Sequence, residues 1–106
     1  REVCYGANQI DYSGYPDCRD AFVRAFTRAA TAGTVAGISG RGIRVRAPLI
    51  HCSKEQIVRR AVRLGVPLEL TWSCYAGGSR PCGVCDSCRF RAAGFRAAGI
   101  GDPAVR

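Results

Sequence analysis

Cys74, Cys82, Cys85 and Cys88 are the residues most clearly arranged for chemistry. They sit in the string C-Y-A-G-G-S-R-P-C-G-V-C-D-S-C. Zinc takes four soft ligands in a tetrahedron, with sulfur about 2.3 Å from the metal. Two overlapping C-x-x-C turns bring three sulfurs together, and Gly77-Gly78 lets Cys74 fold back as the fourth. Gly83 eases the tight turn between Cys82 and Cys85. Four protein ligands close the coordination shell, so the expectation is a structural zinc site, one ion per chain. An iron–sulfur cluster also takes four cysteines, and spacing separates it only weakly from zinc. A redox C-x-x-C pair starts a helix after a strand and needs no further cysteines.

The chain has seven cysteines, an odd number that argues against a closed disulfide framework. No charged-then-apolar signal segment opens it, so a reducing, cytoplasmic setting is the expectation. Cys4 and Cys52 read as buried core cysteines. Cys18 lies in a polar loop near a helix start, where its reactivity would rise, but no base partner is in view.

A second concentration of chemistry is Asp11-Tyr-Ser-Gly-Tyr-Pro-Asp-Cys-Arg19. Tyr12 or Tyr15 could stack on a flat heterocycle. Arg19 could clamp a carboxylate or phosphate through two parallel bonds. Asp11 or Asp17 could accept from ring nitrogens. Turn chemistry accounts for the same residues equally well: Gly14 and Pro16 make the turn, and Asp17 caps the helix that follows. Lys54 stands at a helix start, where an anion would bind. A solvated first-turn lysine is the plainer reading there, and His51 reads as a structural histidine.

The elements that must position these groups are short. Glu2-Val-Cys-Tyr5 resembles a strand end, and Ile43-Arg-Val-Arg-Ala47 alternates as a strand does. Between them Ala21, Phe22, Ala25, Phe26, Ala29 and Ala30 form one stripe at helical period, stopped by Gly33. Ser53 and Gln56 make a capping-box pattern, with Ile57, Val58, Ala61, Val62 and Leu64 as an inner face and Gly65 and Pro67 as the stop. Asp86 is the expected cap of a last helix carrying Phe90, Ala93, Phe95, Ala97 and Ala98. Strands alternating with helices predict a parallel α/β layer. Only two strand–helix units are visible, too few for a complete doubly wound sheet.

Length and composition fit that picture. The chain has 106 residues, 47% of them hydrophobic, which allows one packed domain or part of one. No apolar run reaches membrane-spanning length. The formal charge is +8, carried almost entirely by arginine, since Lys54 is the single lysine. Such a balance points to anionic partners. The arginines are dispersed without interleaved aromatics, so a nucleic-acid surface is not expected. A basic zinc module that binds RNA, or a zinc-binding fragment without catalysis, are the readings that compete with an enzyme.

Several segments together resemble one family. Gly6-Ala-Asn8, the Asp11–Arg19 string, Pro48-Leu-Ile-His51 with Ser53-Lys54, and Leu68-Glu-Leu-Thr-Trp-Ser-Cys74 with the three later cysteines are similar to the 7-cyano-7-deazaguanine synthase (QueC/ExsB) family. The resemblance implies a PP-loop ATPase fold, a Rossmann-like parallel sheet of the adenine nucleotide alpha hydrolase type, and usually a homodimer. It implies ATP, with Mg2+, and ammonia acting on 7-carboxy-7-deazaguanine in queuosine biosynthesis. Cys74, Cys82, Cys85 and Cys88 match its zinc ligands. Asp11, Tyr12, Tyr15, Asp17 and Arg19 fall in its substrate-side loop, and Lys54 where related proteins place a phosphate-contacting lysine. One departure stands out: the family's S-G-G-x-D-S phosphate loop is absent. Gly37-Ile-Ser-Gly-Arg-Gly42 is glycine-rich but misplaced and lacks the Asp-Ser pair. The chain therefore matches the C-terminal part of the family, and the ATP loop is expected upstream of Arg1 or on another chain. The expected division is residues 1–70 as the C-terminal part of the α/β domain and 71–106 as the zinc segment with the last helix. A segment lacking the ATP loop is expected to need that N-terminal half for catalysis.

Overall fold

A computed structural model describes residues 2–8 and 14–105. The chain divides into two compact units, residues 1–51 and 52–106. Residues 52–70, grouped with the first segment in the sequence reading, thus pack with the cysteine-bearing stretch.

In the first unit, β1 (Glu2–Cys4) pairs in parallel with β2 (Arg44–Arg46). Val3 faces Val45 in the register, and the Tyr5 N–H extends the ladder to the Arg46 carbonyl at 3.0 Å. Parallel strands need a crossover between them. It is supplied by α1 (Asp20–Ala32) and the short α2 (Val35–Ile38), the latter not foreseen from the sequence. The Thr34 side chain caps α2 by accepting from the Gly37 N–H. The expected parallel α/β layer is present, as a sheet of two strands among the described residues. Asn8 ties the end of β1 to the next connection, donating from Nδ2 to the Leu49 carbonyl at 3.2 Å.

Two local expectations fail here for identifiable reasons. Asp17 does not cap α1: Pro16 fixes its own φ and opens a 3-10 turn over Pro16–Cys18. The helix then starts from an extended Arg19, whose side chain makes no cap bond. Cys4 is exposed rather than buried, since β1 is exposed along its whole length, whereas Cys52 is buried as expected.

In the second unit, α3 (Lys54–Arg63) carries the complete capping box: Ser53 accepts from the Gln56 N–H, and Gln56 accepts from the Ser53 N–H. It packs against α4 (Asp86–Ala98). Val58, Phe95 and Ala98 form the buried cluster, with Leu68 and Ile100 against it. Val62 and Leu64, expected inside, are exposed. The helices approach closely because residue 94 is glycine: a Cβ there would stand 2.6 Å from the Lys54 Cβ. Cys85, rather than Asp86, occupies the cap position of α4, and Asp86 is the first helical residue. There its charge faces the positive end of the helix dipole. Gly99, at φ 68°, closes the helix in the left-handed conformation.

Candidate metal centre

The four cysteines converge. Their Sγ atoms all lie within 4.8 Å of one another. Cys74 follows a 3-10 turn over Leu68–Leu70 and is buried. The Trp72 indole N–H holds its carbonyl at 2.8 Å. Cys82 and Cys85 flank a turn that needs Gly83 at φ +74°, and Gly77 at φ +69° turns the connecting loop back. Cys85 caps α4 and Cys88 lies in its first turn. The positive end of that helix therefore faces two of the sulfurs.

Backbone N–H groups aim at the sulfurs. Those of Ala76 and Cys82 reach Cys74 Sγ at 3.4 and 3.3 Å, and that of Cys85 reaches Cys82 Sγ at 3.4 Å. Such donors favour thiolate over thiol. N–H donation from Tyr75 and Cys88 lowers the Cys85 pKa to about 6, and donation from Cys82 and Ala76 lowers that of Cys74. Burial pushes Cys88 up to about 12, and the adjoining thiols add to the rise. Four sulfurs this close cannot all hold negative charge unless a cation lies between them. Donor type, separation and N–H support all fit a bound metal ion.

A second polar cluster ties this site to the rest of its unit. Arg91, on α4 beyond Cys88, is 10% exposed, as is the carboxylate of Asp102 that it grips. Nε and Nη2 donate to the two Asp102 oxygens at 2.6 and 2.8 Å. Nη1 donates to the Thr71 hydroxyl at 2.9 Å and its carbonyl at 3.3 Å, and Nη2 to the Leu68 carbonyl at 3.4 Å. The guanidinium also lies over the Phe95 ring, 5.0 Å from its centre. Burial alone would raise the Asp102 pKa, but hydrogen bonds from Arg91 and the Ala104 N–H, with the charge of Arg91, outweigh it and lower the value. Sequence reasoning treated Arg91 as one of many dispersed arginines and gave Asp102 no role. The only signal was an arginine one helical turn beyond a cysteine of the cluster.

The other site residues fall elsewhere. Asp11 and Tyr12 lie outside the described residues. Tyr15, Asp17 and Arg19 are exposed around the 3-10 turn of the first unit, where the Asp17 carbonyl accepts from the Tyr5 hydroxyl at 2.8 Å. His51 Nε2 approaches the Asp20 carboxylate at 3.2 Å. Lys54 belongs to the second unit, where with Ile57, Leu68, Ser73 and Phe95 it lines a cavity of about 320 Å³. None of the described helices is long and apolar enough to cross a membrane.

A parallel strand pair with a helical crossover, followed by four convergent cysteines at a helix start, defines an α/β protein with a cysteine cluster able to hold a metal ion. Comparison makes this specific. The family model for queuosine biosynthesis protein QueC matches residues 1–99, and the chain belongs to that family. It is 51% identical over 105 residues to the 7-cyano-7-deazaguanine synthase of Nitrosococcus oceani, covering 97% of this chain and 47% of the relative. For the synthase of Azotobacter vinelandii the figure is 53% over 105 residues, with the same coverage. For that of Synechococcus sp. strain CC9605 it is 56% over 97 residues, covering 92% of this chain and 43% of the relative. The chain thus spans about half the length of these relatives, and the resemblance to the C-terminal part of the family stands.

Proposed function

We propose that this chain is the C-terminal part of an ATP-dependent enzyme that converts 7-carboxy-7-deazaguanine and ammonia to 7-cyano-7-deazaguanine in the cytoplasm. The observation that carries the reading is the convergence of Cys74, Cys82, Cys85 and Cys88 in a chain of the QueC family. In this reaction ATP adenylylates the substrate carboxylate and releases pyrophosphate. Ammonia displaces AMP to give the amide. A second ATP adenylylates the amide oxygen and releases a second pyrophosphate; departure of that oxygen with AMP, and loss of the two amide protons, leaves the nitrile. The protein's part is to hold the reactants together and to stabilise the charge that develops.

The four cysteines would hold one zinc ion, whose contribution is to fix the fold of the segment around them. A tetrahedron of zinc–sulfur bonds sets sulfurs about 3.8 Å apart. A multi-iron cluster interposes its own iron and sulfide and needs wider spacing, so the 4.8 Å limit favours a single ion. Asp11, Tyr12, Tyr15, Asp17 and Arg19 are assigned to the deazaguanine side. Lys54, at the start of α3, is assigned to phosphate. The ATP loop, with Mg2+ bound alongside the nucleotide, would come from the N-terminal PP-loop half, and the assembled enzyme would be a homodimer.

The test is turnover of 7-carboxy-7-deazaguanine with ATP and ammonia, measured on this chain with and without a supplied N-terminal PP-loop half. Nitrile formation only in the mixture supports the proposal. Absence of both activity and association between the halves overturns it and leaves a non-catalytic zinc-binding fragment.

A further inference from the structure

The cysteine centre draws its ligands from two separate stretches. Cys74 follows the 68–73 segment, while Cys85 and Cys88 belong to the start of α4. No strand ladder joins them among the described residues, since the sheet of this protein lies in the other unit. Besides the Cys82 and Tyr75 N–H groups that reach Cys74 Sγ and Cys85 Sγ, one side chain away from the sulfurs also joins the two stretches, Arg91. It lies on the helix that carries Cys88, and its guanidinium holds the carbonyls of Leu68 and Thr71 and the Thr71 hydroxyl. Thr71 in turn donates from its hydroxyl to the Leu68 carbonyl at 2.6 Å. Asp102, beyond the far end of α4, grips the same guanidinium at two points. Asp102 is itself fixed, because its Oδ1 accepts the Ala104 N–H at 3.0 Å.

A planar guanidinium with five donors in a rigid fork transmits orientation in a way an ammonium cannot. With both edges engaged and the Phe95 ring beneath it, Arg91 has a fixed pose on α4. It therefore sets how far the chain entering Cys74 stands from the helix bearing Cys88. We propose that Arg91 and Asp102 are positioning residues for the metal centre: they preset the Cys74–Cys88 approach and so raise metal affinity without touching the ion. This rests on the reading of the four cysteines as a metal site. Outer residues that orient ligands change metal affinity by about 10- to 100-fold when altered.

The measurement is competition of the whole chain with a chromophoric chelator for Zn2+, alongside the Co2+ absorption spectrum. Arg91→Lys keeps the charge and loses the fork; Asp102→Asn keeps the shape and loses the charge. Each is expected to weaken Zn2+ binding about 10- to 100-fold, with the tetrahedral-thiolate Co2+ bands unmoved and the helical circular dichroism retained. Arg89→Lys, an exposed change on the same helix, should bind as wild type does. If either principal variant loses its helical signal, Thr71→Val decides, since it removes one Arg91 acceptor and keeps the shape; a several-fold weakening is expected. Wild-type affinity in the folded variants, with only their thermal midpoints lowered, overturns the proposal and leaves the metal site standing. Failure of wild type to bind either ion overturns the metal reading, and this proposal with it.

Discussion

The two units differ in how far they satisfy themselves. In the first, α1 buries no residue, and Phe22 and Phe26 stack 5.6 Å apart while 39% and 48% exposed. Of its two parallel strands, β1 is exposed throughout and β2 buries only Val45, although parallel sheets in proteins are covered on both sides. In the second unit Phe95 is 4% exposed, the start of α3 is capped reciprocally, the Arg91–Asp102 pair is largely buried, and four sulfurs converge. The same chain thus holds one unit closed by short-range chemistry and another whose apolar side chains are largely exposed. That accords with a chain spanning about half the length of its relatives.

The largest break expected in this comparison is Cys85→Ala. Removing one of four ligands should abolish metal binding and unfold residues 71–91, because structural zinc supplies folding energy outright. Metal content after gel filtration checks it, and full retention would remove the zinc assignment. Next comes a matched pair of truncations. Phe95→Ala should cost about 4 kcal/mol, as for a core aromatic, while Phe26→Ala should cost about 1 kcal/mol, chiefly its stack with Phe22. Urea unfolding of both variants measures the gap, and equal costs would erase the contrast between the units.

Asp102→Asn should cost about 3 kcal/mol by leaving the Arg91 charge uncompensated. A carboxyl whose folded pKa is lowered contributes stability above its unfolded value, about 3.9, and loses it as pH falls through the folded value. The difference between wild type and Asp102→Asn should therefore be full at neutral pH and close below about pH 4. A difference independent of pH would mean that the charge is not what matters. The smallest effect is Ser53→Ala, about 1 kcal/mol for the lost cap, read as a lower unfolding midpoint.

Local chemistry was legible in the sequence. Cysteine spacing, the Ser53–Gln56 box and the alternation around Val45 each encode their geometry within a few residues, and the structure has all three. Legibility failed where a neighbour or a distant partner decides. Pro16 diverts Asp17 into a 3-10 turn that no capping rule anticipates. Val62, in the last turn of α3, and Leu64, at its C-cap, continue the apolar pattern but are exposed, because the buried cluster is formed from Val58 on that helix. The Arg91–Asp102 pair spans the whole remainder of α4, a separation at which charges in sequence carry no pairing signal. Asp11 and Tyr12 lie outside the described residues, and the substrate-side loop rests on the resemblance alone.

The glycine at position 94 has a dynamic consequence. Where helices meet through interlocking side chains, one can slide while its rotamers readjust. Here the Lys54 backbone and Cβ lie directly against α4, with no yielding layer between them. The first turn of α3 and the middle of α4 are therefore expected to open together in hydrogen exchange, as one cooperative unit with a common protection free energy. Metal bound at the start of α4 would then slow exchange of amides on α3, a helix that carries none of the four clustered cysteines.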